Sequence, residues 1–201
     1  HAAALKQVDT AEYNPFEFIN TNIVGAQNVI EAAIQNNVKK VIALSTDKAC
    51  SPINLYGATK LCSDKLFISS NNLVPEKNDT IFSVVRYGNV FASRGSVIPF
   101  FLKINKNKNP FPLTHPAMTR FNISMNDAIE TVMWGFKNSK GSELIVPKLK
   151  SFKIVDLIHA INSKAKIKII GIRPGEKIHE ELISNSDSRL TIEYGKYYLI
   201  L

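Results

Sequence analysis

The stretch Val41-Ile-Ala-Leu-Ser-Thr-Asp-Lys48 decides the predicted fold, because a continuously apolar run is followed at once by polar residues. Four successive apolar residues are typical of a short strand that is buried on both faces of a parallel sheet. The polar residues would follow the carboxyl end of that strand, where open α/β sheets bind their ligands. Ser45 and Thr46 offer hydroxyl groups that can hold a substrate hydroxyl, and Asp47 and Lys48 supply an acid and a base.

Helices and a further buried strand flank this stretch. Asn14-Pro15 is a helix start, with a capping asparagine and a proline at the first helical position, and apolar residues recur at helical spacing to about Asn36. A second helix is predicted at residues 55–70 and a second buried strand at 81–87. Helices long enough for parallel crossovers, alternating with buried strands, predict a doubly wound parallel α/β sheet of the Rossmann type.

The elements that follow residue 94 are shorter, and they predict a smaller lobe folded against the first part of the chain. Helices are predicted near residues 97–106, 126–138, 153–161 and, as a last helical turn, 176–183. Strands are predicted at 120–124, 143–146 and 166–171. The predicted fold is therefore a doubly wound sheet with a smaller α/β lobe.

Composition and charge limit the classes of protein to which the chain can belong. Its 201 residues include 25 lysines and arginines and 17 aspartates and glutamates, which gives a net charge of +8. The hydrophobic fraction of 45% and the charged fraction of 21% exclude disordered, collagen-like and disulfide-dense chains. The positive charge suits either a nucleic acid or a substrate that carries phosphate groups. We expect the substrate and no nucleic acid, because no aromatic residues are interleaved with the lysines at 103, 106 and 108.

Several familiar signals are missing from the sequence. No apolar run approaches the roughly 18 residues that span a bilayer, and no Gly-rich phosphate loop of the GxGxxG or GxxxxGKS/T form is present. Cys50 and Cys62 lack metal or redox spacing, and the histidines lack ligand spacing. We therefore expect no membrane span, no metal and a reduced, cytoplasmic protein. The missing loop leaves two interpretations: a fold that binds no nucleotide, or a chain that begins partway through a nucleotide-binding fold.

Tyr56 and Lys60 are four residues apart at the start of the second predicted helix. This spacing places both side chains on one face of the helix. A nearby lysine cation stabilises a phenolate, so we expect Lys60 to lower the pKa of Tyr56 towards that of a working general base. Together with the polar residues after the apolar strand, this pair predicts a catalytic site.

Four short motifs resemble the extended short-chain dehydrogenase/reductases: His1-Ala-Ala-Ala, Ser45-Thr-Asp-Lys48, Tyr56-x-x-x-Lys60 and Arg86-Tyr-Gly-Asn-Val90. Longer phrases are similar to the inverting UDP-N-acetylglucosamine 4,6-dehydratases, which begin pseudaminic acid synthesis for flagellin glycosylation. These phrases are Pro52-Ile-Asn-Leu-Tyr-Gly-Ala-Thr-Lys-Leu-Cys-Ser-Asp-Lys65, Ser93-Arg-Gly-Ser-Val97 and Gly171-Ile-Arg-Pro-Gly-Glu-Lys177. The resemblance covers essentially the whole chain, and the Asp-Lys pair after Ser-Thr distinguishes these dehydratases from the 4-epimerases.

The resemblance implies a role for each catalytic residue. Tyr56, assisted by Lys60, takes the proton of the sugar C4 hydroxyl while hydride passes from C4 to bound NADP. Lys48 then removes the C5 proton, which the 4-keto group acidifies, and Asp47 protonates the departing C6 hydroxyl. Hydride returns to C6 and C5 is reprotonated on the opposite face, so the cofactor is regenerated and C5 is inverted.

The resemblance also implies which residues bind the cofactor and the sugar nucleotide. The cofactor-binding positions are His1, Ala2, Ser45, Tyr56, Lys60 and Val90. The substrate-binding positions are Lys6, Thr46, Asn89, Arg94, Gly95, Ser96, Val97, Ile98, Arg120, Arg173 and Glu176. In the 94–98 loop, glycine allows a close backbone approach and the helix start that follows favours anions. The later arginines and the glutamate suit the phosphates and ribose of uridine diphosphate.

By the same resemblance, residues 1–95 form the carboxyl-terminal part of a Rossmann-type NADP-binding domain with the catalytic residues. Residues 96–201 form mainly a sugar-nucleotide-binding lobe, with some segments returning to the Rossmann core. Family members have about two further strands and a Gly-rich turn before the His1 segment, so the chain is expected to be a fragment that binds NADP poorly, aggregates readily and has little activity. The full-length protein is expected to be a homo-oligomer.

The sequence leaves other functions and the choice of cofactor open. NAD is not excluded, because the residue that reads the 2′-phosphate lies outside the chain. The Asp47-Lys48 pair argues against a UDP-hexose 4-epimerase, and the inverting-type phrases argue less firmly against a retaining dehydratase of the same superfamily. A non-catalytic fragment that binds a nucleotide sugar is a further interpretation.

Overall fold

The computed structural model describes residues 1–93 and 95–201, and a sheet covered by helices on both faces lies at its centre. Its helices are α1 (Val8–Tyr13), α2 (Pro15–Ile19), α3 (Gly25–Gln35), α4 (Leu55–Ser69), α5 (Val97–Lys106), α6 (Met125–Asn138), α7 (Ile154–Ile161) and α8 (Asn185–Ser188). Its strands are β1 (Lys40–Thr46), β2 (Ile81–Tyr87), β3 (Asn89–Val90), β4 (Phe111–Leu113), β5 (Thr119–Ile123), β6 (Leu144–Pro147), β7 (Ser151–Lys153), β8 (Ile167–Ile169), β9 (Thr191–Tyr194) and β10 (Tyr197–Ile200). A π-helical turn (Asn20–Val24) joins α2 to α3, and 3₁₀ turns lie at Asp47–Ala49 and Ser70–Leu73.

Within the described residues, five strands form the main sheet in the order β1-β2-β6-β10-β9. Strand β2 runs parallel to β1 and β6, whereas β10 runs antiparallel to β6 and β9. The register pairs Ser45 with Arg86 and Thr46 with Tyr87, so β1 and β2 end at the same edge of the sheet. Polar residues that follow these two strands are therefore brought to one edge, where such sheets bind ligands.

Both faces of this sheet are buried under helices, which explains the continuously apolar sequence of its strands. On one face, Val41 and Ala43 of β1 pack in a core with Ile30 of α3 and Phe67 of α4. On the other face, Ile42 packs with the neighbouring strands and with α6. Helices on both sides of a sheet with parallel central strands confirm the predicted doubly wound α/β fold.

A second core is built from α5, α7 and two small sheets. Strand β4 pairs with β8, and β5 pairs with both β3 and β7. Phe101 of α5, Phe111 of β4 and Ile158 of α7 meet in this core, each with at most 2% of its surface exposed. Strands β6, β9 and β10 also follow residue 96 in the chain, but they belong to the main sheet.

The structure differs from the sequence prediction in several features. The helical turn predicted at 176–183 is wrong, because these described residues form bends without a helix after Pro174 and Gly175, whose φ is +73°. The single helix predicted between Asn14 and Asn36 is interrupted by the π-helical turn. Helices α1 and α8 and strands β3, β4, β7, β9 and β10 have no counterpart in the prediction. Strand β9 mixes polar and apolar residues, whereas β10 is a run of four apolar residues that the prediction does not include.

Two further structural observations concern sites of other kinds. Within residues 1–93 and 95–201, no helix combines the length and the apolar composition needed to cross a membrane. The same residues contain no group of three or more His, Cys, Asp or Glu side chains that could hold a metal ion.

Candidate active site

The carboxyl end of β1 leads directly into a turn that holds two charged side chains together. The Thr46 hydroxyl accepts a hydrogen bond from the Lys48 backbone amide at 3.4 Å and donates to Asp47 Oδ1 at 3.0 Å. Lys48 Nζ donates to the same Asp47 oxygen at 2.9 Å. The Asp47 side chain is fully buried, whereas 19% of the Lys48 side chain is exposed. The turn therefore presents a paired carboxylate and ammonium at the ligand-binding edge of the sheet.

Helix α4 begins beside this turn and brings a tyrosine to it. Asn54 caps the helix by accepting a hydrogen bond from the Gly57 amide at 2.7 Å. Tyr56 is buried and shares a hydrogen bond with Thr46. A Cβ atom at Gly57 would lie 2.2 Å from the Lys48 carbonyl oxygen, so this close approach of helix and turn requires glycine. Thr46 therefore links the tyrosine of the helix to the charged turn.

Burial changes the proton affinity of Tyr56 and Lys60. It raises the pKa of Tyr56 to about 12, although the hydrogen bond with Thr46 acts in the other direction. Lys60 is 4% exposed and donates to the Leu44 carbonyl oxygen at 2.7 Å. Burial lowers the pKa of Lys60, and the charge of Asp64 opposes that shift. The pKa of Tyr56 thus moves in the direction opposite to the one expected from its spacing with Lys60, because desolvation outweighs the other effects.

Ser45 points away from this group, because successive side chains of a strand face opposite sides of the sheet. Its hydroxyl donates to Asp64 Oδ2 at 2.6 Å, and Arg86 donates to the same oxygen at 3.1 Å. Asp64 and Arg86 are almost fully buried, and burial raises the pKa of Asp64 against the opposing charge of Arg86. Ser45 therefore belongs to a buried ion-pair network beneath α4, although the sequence predicts it as a cofactor-binding residue.

Residues 173–182, here named the clasp segment, are fastened to the turn that follows β1. Asn54 Nδ2 donates to the Gly175 carbonyl oxygen at 2.8 Å. Lys177 Nζ donates to the Cys50 carbonyl oxygen at 2.7 Å. These hydrogen bonds join positions 121 and 127 residues apart in the sequence. The site is therefore built from two distant parts of the chain.

Glu180 of the clasp segment lies in this site, although the sequence prediction does not include it. Its Oε1 is 3.6 Å from Lys48 Nζ, and its side chain is only 5% exposed. Glu180 Oε2 and Asp47 Oδ2 are buried oxygens with no hydrogen-bond partner among the residues described. The one signal for Glu180 in the sequence is its place three residues after the 171–177 phrase.

The clasp segment also brings together the residues expected to bind the uridine diphosphate. Arg120 is buried and donates to the carbonyl oxygens of Thr119 and Ile178 at 2.7 and 3.1 Å. Arg173 donates to both carboxylate oxygens of Glu176, at 2.7 and 3.2 Å. Burial would raise the pKa of Glu176, but the hydrogen bonds and charge of Arg173 and the charge of Arg120 lower it. The charges of Arg120 and Arg173 thus both lower the pKa of Glu176.

The first residues of the chain run beside β1. The His1 nitrogen donates to the Ile42 carbonyl oxygen at 2.8 Å, and the Leu44 amide donates to the His1 carbonyl oxygen at 2.9 Å. His1 thus lies along the strand that leads to the turn with Asp47 and Lys48. Ala2 and Lys6, two more of the expected binding residues, are exposed.

Asn89 and Val90 follow the end of β2 and form β3, which pairs with β5. Both residues are partly buried. At the preceding Gly88, a Cβ atom would lie 2.6 Å from Phe121 Cβ and 3.3 Å from Asp47 Oδ2. Gly88 therefore lets the end of β2 approach the side chain of Asp47 closely, with Asn89 next to it.

The remaining predicted binding residues lie in the loop that begins α5. Gly95 has a φ of +76°, a conformation that favours glycine, and is exposed. The hydroxyl of Ser96 is buried, and the described parts of the chain offer it no hydrogen-bond partner. Val97 is partly buried and Ile98 is buried at the start of the helix. Arg94 lies outside the residues that the structure describes.

The residues of the site fit the nicotinamide end of a dinucleotide. Lys60 uses one of its three ammonium protons on Leu44, so two protons remain for the hydroxyl groups of a ribose. Tyr56, four residues earlier on the same helix face, adjoins the turn with Asp47 and Lys48. The sequence contains no Gly-rich loop of the kind that holds the diphosphate of a dinucleotide.

Comparison with known proteins relates this site to a family. A family model described as polysaccharide biosynthesis protein matches residues 1–201, which is the whole chain. The chain belongs to this family. Among curated polysaccharide biosynthesis relatives, a UDP-N-acetylglucosamine 4,6-dehydratase (inverting) from Campylobacter jejuni is 57% identical over 201 residues, which are 100% of this chain and 60% of that protein. This identity confirms the resemblance that the sequence motifs carry.

Two further relatives show how far the likeness extends. A UDP-glucose 4-epimerase from Rickettsia canadensis is 45% identical over 204 residues, covering 100% of this chain and 60% of that protein. The X-ray structure of Pen from Bacillus thuringiensis superposes with a TM-score of 0.93 at 40% identity, covering 98% of this chain and 64% of that chain. The chain thus spans about 60% of the length of the curated relatives named here.

Proposed function

We propose that this chain carries the catalytic centre of an NADP-dependent UDP-N-acetylglucosamine 4,6-dehydratase that inverts C5. The observation that carries the proposal is the hydrogen bond of 2.9 Å between Lys48 Nζ and the buried Asp47, close to Tyr56. Transfer of one proton along this bond leaves an amine and a carboxylic acid. These are the forms that remove the C5 proton and protonate the C6 hydroxyl. A 4-epimerase acts at the C4 hydroxyl, so its reaction has no step for this pair.

In the proposed reaction, a bound nicotinamide cofactor supplies reversible hydride transfer, first from C4 and later to C6. Tyr56 takes the proton of the C4 hydroxyl. The product keeps the 4-keto group, so this proton does not return to O4 and is balanced by the one that C5 receives when it is reprotonated on the opposite face. Lys60 holds the ribose hydroxyls with its two remaining ammonium protons, which orients the reacting face. Lys48 and Asp47 then remove the C5 proton and complete the loss of the C6 hydroxyl as water.

The turn that holds Asp47 and Lys48 is named the catalytic turn from here on. The sugar nucleotide is proposed to lie between this turn and the clasp segment. Arg120, Arg173 and Glu176 would hold the uridine diphosphate, and the guanidinium of Arg173 is 57% exposed and accessible to a phosphate. Residues 1–95 would then belong to the cofactor domain and 96–201 mainly to the substrate lobe. We assign NADP as the cofactor, with NAD as the alternative.

We also propose a setting for the reaction in the cell. The product, a UDP-4-keto-6-deoxy sugar, would enter pseudaminic acid-type synthesis for flagellin or a surface glycan. The full-length protein would act in the cytoplasm as a homo-oligomer and would bind no nucleic acid.

The test uses a protein of the relatives' full length that contains this chain. It is incubated with UDP-N-acetylglucosamine and NADP, and the product is followed by mass spectrometry and by NMR at C5. We expect the loss of one water and an inverted C5. In the Lys48→Ala variant this product should disappear.

Other products would favour other functions. An isomer of unchanged mass would establish a 4-epimerase, the reaction named for the Rickettsia relative. Water loss with C5 retained would establish a retaining dehydratase. Substrate that binds without reacting would indicate a non-catalytic protein that binds a nucleotide sugar.

A further inference from the structure

Glu180 places a second buried carboxylate beside the amine of Lys48. Its Oε1 is 3.6 Å from Lys48 Nζ, which is longer than the 2.9 Å bond between Nζ and Asp47 Oδ1. Both acidic side chains are at most 5% exposed. The Lys48 amine therefore lies beside two buried carboxylates.

The backbone around Glu180 is fixed on both sides. The Thr119 amide donates to the Ile178 carbonyl oxygen at 3.0 Å, and Arg86 donates to the Leu182 carbonyl oxygen at 3.2 Å. These partners belong to the second core and to the main sheet. The backbone that carries Glu180 is thus fixed beside Lys48 without a bound substrate, which favours electrostatic preorganisation of its buried carboxylate.

A purely structural role does not account for this arrangement. Burial of a carboxylate costs free energy unless hydrogen bonds satisfy its oxygens. Glu180 Oε2 has no such partner in the part of the chain that the structure describes, and Oε1 has a contact beyond hydrogen-bond length. Glutamine or an apolar residue would fill the same space at lower cost, so the negative charge itself calls for an explanation.

We propose that Glu180 is a positioning residue that stabilises the positive charge developing on Lys48, an inference that rests on the proposed dehydratase function. When the neutral amine takes the C5 proton, the C5–H bond breaks and an N–H bond forms. The electron pair of the C5–H bond enters the enolate of the 4-keto sugar, and Nζ becomes cationic. Glu180 exchanges no proton: its fixed charge stabilises the new cation and keeps Nζ aimed at C5.

The test compares Glu180→Gln with a matched control, Glu181→Gln, in the full-length protein. Glu181 is the adjacent, exposed carboxylate, and it accepts a hydrogen bond of 3.4 Å from Ser51. Three quantities are measured: turnover, the absorbance of reduced cofactor formed on mixing with substrate, and the kinetic isotope effect of substrate deuterated at C5. Cofactor reduction reports on Tyr56 and Lys60, whereas the isotope effect reports on Lys48.

We expect Glu180→Gln to lower kcat about 100-fold with little change in KM, the size of effect seen when one preorganised charge-stabilising group is removed. The initial cofactor reduction should persist, and the C5 isotope effect on kcat should increase. Glu180→Asp, which keeps the charge on a shorter side chain, should recover part of the lost turnover. Glu181→Gln should behave like the wild type in all three measurements.

Two results would overturn the inference. Equal losses of cofactor reduction and of turnover in Glu180→Gln, with an unchanged isotope effect and no recovery in Glu180→Asp, would indicate a structural role. Wild-type turnover in Glu180→Gln would show that the charge is not needed. Failure of the proposed function is separate, because it would appear in the wild-type protein as the absence of a product that has lost water.

Discussion

Replacement of Gly57 by alanine tests how closely α4 must approach the catalytic turn. The added Cβ would lie 2.2 Å from the Lys48 carbonyl oxygen and 3.0 Å from Pro52 Cβ. Helix and turn would have to separate by about 1.2 Å to restore ordinary contact at 3.4 Å. Such overpacking costs about 1–3 kcal/mol, against a gain of about 1 kcal/mol from alanine in a helix. We expect the free energy of unfolding to fall by up to about 2 kcal/mol, and turnover to fall about 100-fold because the turn is displaced by about 1 Å.

The matched control for this variant is Gly25→Ala in α3. There the nearest atom to an added Cβ is the Asn20 carbonyl oxygen at 3.5 Å, an ordinary contact, so alanine should stabilise the protein by about 0.5–1 kcal/mol and leave turnover unchanged. Urea unfolding and turnover of both variants are measured in the full-length protein. If Gly57→Ala gained stability like Gly25→Ala and kept its turnover, the tight contact at the catalytic turn would not exist as described.

Two further variants test the electrostatics of the site. Burial raises the pKa of Tyr56 to about 12, so its contribution to stability is complete below the unfolded pKa of about 10 and is lost as the pH rises towards 12. Urea unfolding between pH 9 and 12 should therefore show a smaller loss of stability in Tyr56→Phe than in the wild type, by up to about 2 kcal/mol, and parallel curves would contradict the assignment. Asp64→Asn leaves the buried Arg86 without its closest carboxylate, at 3.1 Å, and should lower the free energy of unfolding by about 3–5 kcal/mol. Glu193→Gln, which breaks an exposed ion pair with Lys148, is the control and should change stability little, so equal effects of the two substitutions would argue against a buried pair.

The central layers of the fold follow from local sequence signals. Apolar runs predict β1 and β2 because both faces of those strands are buried, and a run of that kind has few alternatives. In the clasp segment, Ile178 and Leu182 have the spacing of a helix. Their carbonyl oxygens nevertheless accept hydrogen bonds from Thr119 and Arg86, which lie far away in the sequence. Contacts between distant parts of the chain thus override a local pattern there.

In the candidate site, too, local sequence signals predict some features, whereas others depend on contacts between distant parts of the chain. The spacing of Tyr56 and Lys60 and the apolar strand before Asp47 predict a site at this edge, because each signal lies within one element. The direction of the Tyr56 pKa shift depends on how many neighbours bury the phenol, which spacing does not reveal. Glu180 reaches Lys48 only through the path of the clasp segment, so the sequence offers no more than its position shortly after the 171–177 phrase.

The position of the clasp segment late in the sequence determines when the site is completed during protein synthesis. Lys177 bonds to Cys50 across 127 residues of sequence, and at 5–20 residues per second a ribosome needs roughly 6–25 s to make that length. For most of this interval the nascent chain contains Tyr56, Lys60 and the turn with Asp47 and Lys48, but it lacks both Arg173 and Glu180. The proposed catalysis therefore starts only after the last third of the chain has been translated and has folded back onto the first.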